Sequence, residues 1–229
     1  ACRSAQVPVL TWWYDLVTGG DIRLAEQIAP LVDGQIQIDR HVPPCGVQDP
    51  SRYVPLWTVH DPRLFYTGTW ARPIVVSGVG DWEQPIRQRM RRVLEHAHVP
   101  CQFVGGQHHI VPLTEYARTC RHSQMTINTN NHPECAQLKG HVFEGMSCGA
   151  LVLEQHFDSG STQHLVTPEA EYLPFRSETE LVERIRFCQT HHRYRDGIAE
   201  AGARAYHERY SPRQFWHRIF QFVWPTEVV

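Results

Sequence analysis

The segment from Leu138 to Leu153, LKGHVFEGMSCGALVL, sets an ammonium, a glycine and a carboxylate at the start of a short amphipathic helix, then turns through small residues into a buried strand. Those residue types in that order answer the needs of a nucleoside diphosphate. Backbone amides at a helix N-terminus and the Lys139 ammonium neutralise phosphate charge. The Glu144 carboxylate, one turn later, can accept hydrogen bonds from a ribose diol. A plainer explanation competes with this one: a first-turn acid complements the helix dipole whether or not a ligand is present, and an exposed lysine needs no task.

Other candidates depend on where the strands end. In a doubly wound sheet, ligands lie beyond the carboxyl ends of the strands, at the point where strand order reverses. The residues expected there are Gly78 and Gly80 after one strand, Gly105 and Gly106 after the next, Asn128 and Asn130 after a third, and Lys139 to Glu144. Gly78 and Gly80 would let backbone amides approach a pyrophosphate, although a glycine after a strand also serves a tight turn. Arg87 belongs to a helix that also carries Arg89, Arg91 and Arg92, a pattern that in general makes a solvated face. His108 and His109 follow the second strand, within reach of a nucleotide base. Asp15, closing the run VPVLTWWY, stands at a strand end where an acid can act on an acceptor or simply cap a loop.

The elements that must position these groups alternate regularly. Apolar, β-prone runs at Val7 to Tyr14, Gln35 to Asp39, Ile74 to Ser77, Gln102 to Val104, Met125 to Thr129, Leu151 to Glu154 and Tyr172 to Phe175 read as strands. Between them Ile86, Met90, Val93, Leu94 and Ala97 fall on one helical face, and helices are expected at Ile22 to Ala29, Thr114 to Cys120, Lys139 to Ser147 and Ile198 to Tyr206. Ser177 with Glu180 forms a capping box. Ser211-Pro212 starts a terminal helix bearing Phe215, Trp216, Ile219, Phe220 and Val223. Strands and helices alternating at this interval imply parallel pairing through right-handed crossovers. The fold class expected is therefore α/β, a doubly wound parallel sheet preceded by part of a second α/β unit.

Composition narrows the function classes. With 229 residues, 41% of them hydrophobic, the chain can build a substantial core. A formal net charge of −2 gives no global field for nucleic acid, so no nucleic-acid partner is expected. No apolar run approaches the roughly 20 residues of a membrane span, and no signal peptide opens the sequence. Cys2, Cys45, Cys101, Cys120, Cys135, Cys148 and Cys188 are odd in number, scattered and never paired as C-x-x-C, which points to reduced thiols and a cytoplasmic setting. The 15 histidines include the doublets His108-His109 and His191-His192 but show no metal-site spacing, so no metal is expected.

Lys139, Gly140, Phe143, Glu144, Cys148, Gly149 and Ala150 fall as in group 1 glycosyltransferases of the GT-B fold, and the segment looks most similar to the spore-maturation (CgeB-like) branch. Val54 to Phe65, VPLWTVHDPRLF, resembles the connector between the halves of those enzymes. The resemblance implies a remnant of an acceptor-side domain over 1–53, a connector over 54–72, a Rossmann-like nucleotide-sugar domain over 73–210, and a terminal helix over 211–229 that packs back on the N-terminal part. It implies a diphosphate held by Lys139, Gly140 and His141, a ribose on Glu144, and further donor contacts from Gly78, Gly80, Arg87 and Asn128, with Lys139 and Asp15 closest to the chemistry. Two positions depart from the pattern: His141 stands where the family has arginine, and Ala136 where the broader group often has a second glutamate.

The activity implied is metal-independent transfer of a sugar from a nucleotide diphosphate sugar to an acceptor hydroxyl, with no cofactor beyond the donor; the short N-terminal part leaves three readings open, a fragment, a degenerate copy, or one part of a split protein whose missing N-terminal domain is in another chain. Two alternatives stay open: a non-catalytic α/β nucleotide-binding or assembly module, and a nucleotide-sugar epimerase of similar build.

Overall fold

The computed structural model describes residues 7–14, 19–38, 47–106, 110–129, 139–158 and 162–225. Two parallel sheets organise them. The first holds β1 (Leu10–Trp13), β2 (Gly34–Ile38) and β3 (Tyr53–Leu56) in the order β1-β2-β3, with α1 (Gly19–Ile28) crossing from β1 to β2. The second holds β4 (Ile74–Val79), β5 (Cys101–Val104), β6 (Ser123–Asn128), β7 (Leu151–Gln155) and β8 (Leu173–Phe175) in the order β5-β4-β6-β7-β8. Every pairing is parallel. This is the doubly wound α/β architecture expected.

In the larger sheet α2 (Pro85–His96) leads from β4 outward to β5, and α3 (Leu113–His122) returns to β6 on the other side of β4. Strand order therefore reverses between β4 and β6, and their carboxyl ends open the crevice where such folds receive ligands. α4 (Gly140–Ser147) follows β6. A short helix α5 (Thr162–Leu165), which sequence patterning did not indicate, precedes β8, and α6 (Glu178–Thr190) and α7 (His192–Ala205) close the layer. Val76, Met125, Ile127, Leu151 and Leu153 pack beneath α2 and α6 through Met90, Leu94, Leu181 and Ile185.

A second core joins the two sheets. Ile36, Ile38, Leu56 and Trp57 from the N-terminal side meet Val142, Phe143 and Met146 of α4, and Phe215 and Ile219 of α8 (Pro212–Val223). Trp57 is its centre, fully buried and edge-on to Tyr210 at 5.0 Å between ring centroids. Alternation along β2 explains the placement: Ile36 and Ile38 face this core, while Gln35 turns to the opposite side, accepting from Trp13 Nε1 at 2.6 Å and donating to Ala25 O at 3.1 Å.

Four local expectations need correction. A strand absent from the sequence reading, β3, takes up the first residues of the connector, and its Pro55 is tolerated because β3 is an edge strand. α7 starts at His192, ahead of the apolar stripe read from Ile198, and ends in a π-turn, Tyr206–Tyr210. α4 is buried from Val142 to Ser147 and so is not amphipathic. The capping box forms only in part. Ser177 Oγ accepts from the Glu180 amide at 3.2 Å, but the Glu180 carboxylate reaches back to the Arg176 amide at 2.7 Å.

Candidate functional site

Four elements aim polar groups at the β4/β6 crevice. β4 ends at Val79 and leaves Gly80 with φ +119°, in the region that favours glycine. A side chain there would press on the Arg87 guanidinium at 2.7 Å and approach His141 Nε2 at 3.5 Å. The Gly80 amide itself donates to Val104 O at 3.0 Å, so it is engaged with β5. Gly80 thus serves the site by letting an arginine and a histidine converge beside the backbone. Gly105, with φ +98°, backs this turn, and a Cβ there would meet Gly80 O at 2.8 Å.

Arg87 is buried, unlike the exposed Arg89, Arg91 and Arg92 of the same helix. Its Nε donates to Thr129 Oγ1 at 3.1 Å and its Nη1 to Asp81 O at 3.1 Å. The arginine is therefore fixed across the crevice, from α2 to the residue just past β6. Gly78 lies one turn of the pleat earlier, inside β4. The Trp82 ring occupies the space that a Gly78 side chain would need, with 1.8 Å between them. The structure gives Gly78 a packing role under Trp82.

α4 supplies the rest. Lys139 is its N-cap residue, in extended conformation and with no side-chain cap bond, so the first amides of the helix are not closed off by their own cap. A side chain on Gly140 would touch Thr58 at 3.0 to 3.2 Å, which brings the connector against this helix terminus. His141 Nδ1 lies 2.6 Å from the Tyr116 hydroxyl and 2.9 Å from Glu144 Oε2. The Tyr116 hydroxyl donates to the same Glu144 oxygen, closing a triangle between α3 and α4. Glu144 sits past the first turn and is buried, so complementing the helix dipole does not account for it.

The electrostatics follow from that burial. Desolvation pushes the Glu144 carboxyl up from 4.5 to about 8, so at neutral pH it holds its proton. Burial first, and then the Arg87 and Lys139 charges, push His141 down to about 4 and keep its imidazole neutral. Glu154, at the carboxyl end of β7, accepts from Asn128 Nδ2 at 2.6 Å and from Thr162 Oγ1 at 3.1 Å. Burial raises it to about 7 against the opposing pull of those bonds and of Lys139.

Arg87 and His141 are thus brought together beside Gly80, with Glu144 bonded to His141 and Lys139 and Gly140 opening the same helix, while Asn128 faces Glu154 and Gly78 stays in the sheet. Asp15, Asn130, His108, His109, Glu134 and Ala136 lie outside the described residues. Among the described residues no group of three or more His, Cys, Asp or Glu is arranged to hold a metal ion, and no helix is long and apolar enough to cross a membrane. Sequence reasoning missed Tyr116, Thr129, Glu154 and Thr162. Only Glu154 carried a usable signal, an acid at the end of the apolar strand LVLEQ, the same signal that singled out Asp15.

Comparison with known proteins identifies the fold and the family. The Anabaena protein Alr3699/HepE, solved in complex with UDP and glucose, superposes with TM-score 0.68 at 13% identity over 96% of this chain and 72% of its own. Sucrose-phosphate synthase from Thermosynechococcus elongatus gives 0.62 at 11% identity, over 96% of this chain and 68% of its own. A glycosyltransferase from Rickettsia africae gives 0.57 at 10% identity, over 99% and 79%. At these identities the likeness is one of fold, the parallel α/β fold of GT-B glycosyltransferases. No curated protein is similar enough in sequence to match. The profile of the glycosyl transferase-like family matches residues 72–221, well over half of the chain and all of the larger sheet, and the chain belongs to that family.

Proposed function

We propose that this chain binds a nucleotide diphosphate sugar in the β4/β6 crevice and, as part of a glycosyltransferase, passes the sugar to an acceptor hydroxyl. The observation that carries the reading is the convergence of Arg87, Lys139, His141 and Glu144 at the start of α4. The diphosphate lies against the α4 terminus, where backbone amides and the Lys139 ammonium meet it. As the glycosidic bond breaks, charge develops on the departing diphosphate, and Lys139 with the helix terminus stabilises it in a preorganised, partly desolvated setting. That is the task a divalent ion performs elsewhere, so the transfer is read as needing no metal and no further cofactor.

Glu144 takes the ribose diol, which requires its carboxylate form and displaces the Tyr116 hydroxyl from one oxygen. His141 replaces a permanent cation with an imidazole that burial, and then Arg87 and Lys139, hold neutral, so it meets the phosphate as a hydrogen-bonding group. Asp15 is the acceptor-side group of this reading, the spore-maturation branch the one it resembles, and the cytoplasm its setting. Lys139→Ala and Glu144→Ala each weaken nucleotide binding by tenfold or more, about 1.4 kcal/mol. Calorimetry of the two folded variants checks this, and unchanged affinity in both removes the assignment.

A further inference from the structure

Among the described residues two carboxylates are buried, Glu144 and Glu154, and the reading above gives a task only to the first. Glu154 is paired in register with Asn128 across β6 and β7, so both stand at the carboxyl edge of the sheet, on the side that receives ligand. Each oxygen of Glu154 already accepts one bond, from Asn128 Nδ2 and from Thr162 Oγ1. A carboxylate offers about four acceptor sites, so the cluster retains unused acceptor capacity. Asn128 Oδ1 adds to it, being buried with no hydrogen-bond partner. A buried unpaired acceptor is costly in a finished structure and needs an explanation.

The chemistry wanted by such a cluster is a neutral group with several hydroxyl donors. Its position agrees. The Lys139 charge acts on both His141 and Glu154, whereas Glu144 is displaced by burial alone. The lysine therefore lies within electrostatic reach of both His141 and Glu154.

Resting on the nucleotide reading above, we propose that Glu154, with Asn128 and held in place by Thr162, forms the subsite for the hydroxyls of the transferred sugar. With the ribose on Glu144 and the diphosphate at Lys139, the sugar esterified to the far phosphate reaches Glu154. Thr162 is a positioning residue, acting through the oxygen of Glu154 that it holds.

The test compares two affinities on each protein: those of free UDP, GDP, ADP or TDP, whichever binds, and of its glucose ester. In Glu154→Gln the carboxamide keeps one oxygen for the Asn128 amide and replaces the other with a donor, so acceptor capacity for sugar hydroxyls is lost. The variant keeps diphosphate affinity within twofold while affinity for the glucose ester falls at least tenfold. Thr162→Val, a milder change on α5 that serves if the first variant does not fold, lowers the ester affinity at least threefold with the same retention of diphosphate. Parallel loss of both ligands, or loss of neither, overturns the sugar subsite and leaves the nucleotide reading standing. Binding of no diphosphate by the native chain overturns both.

Discussion

Replacing Glu144 by glutamine should stabilise this protein, increasingly so as pH rises. The residue is buried and raised from 4.5 to about 8 with desolvation as the cause. Its near neighbours give no countercharge, since Tyr116 is a neutral donor and His141 is itself held neutral by burial, Arg87 and Lys139. A carboxyl whose folded pKa is raised contributes stability that is fully present below its unfolded pKa and lost as pH rises through the folded one. The window is therefore pH 4.5 to 8. At about 1.36 kcal/mol per unit, the full loss is about 5 kcal/mol, a large part of the 5–15 kcal/mol typical of a folded domain.

Glutamine keeps the shape and an oxygen for the Tyr116 hydroxyl but cannot ionise. Thermal unfolding of native and Glu144→Gln proteins from pH 5 to 9 should give melting temperatures that coincide at the acid end and separate by about 10 °C at the alkaline end. The same variant loses the diol acceptor, so stability is gained where binding is lost, as expected of a site maintained for function. Melting curves that run parallel across the whole range would refute the assignment of a protonated, ligand-awaiting Glu144.

Acid should unfold the chain through His60, whose ring stacks on Tyr206 with both nitrogens unpartnered and is lowered by burial to about 4. Its share of the stability present above pH 6.5, about 3 kcal/mol, is lost as pH drops from 6.5 to 4, and because His141 contributes a like slope over the same window, His60→Phe reduces the slope in chemical denaturation by about half. Gly105→Ala combines a positive φ with a backbone oxygen at 2.8 Å, so it should destabilise by about 1–3 kcal/mol and loosen the Gly80 turn, read as lower melting temperature with weaker nucleotide binding. Trp57→Ala empties the core between the sheets and costs about 3–5 kcal/mol by denaturant titration.

Much of this was legible in the sequence because the periodic signals are local. The strands and helices of the larger sheet follow from apolar runs and helical stripes, and Ser211-Pro212 marked the start of α8. The segment around Lys139 and Glu144 also stood out as a candidate, since groups on one short helix need only sequence order to be found together. What stayed hidden depends on contacts between distant elements. Tyr116 looks like any partly buried helix residue until α3 is laid against α4, and Arg87 differs from its three neighbours only because it turns toward Thr129. Gly78 invited a ligand reading that Trp82, four residues on, answers by packing. β3 was concealed by Pro55, which argues against a strand until the strand is known to lie at a sheet edge.

The central claim is that the start of α4 receives a nucleoside diphosphate without a metal. Calorimetric titration of the chain with UDP, GDP, ADP and TDP, each without and with magnesium, tests it directly. The account predicts saturable binding of one diphosphate, unaffected by magnesium and lost in Glu144→Ala. Failure of all four to bind, or binding that appears only with magnesium or persists in that variant, would contradict it.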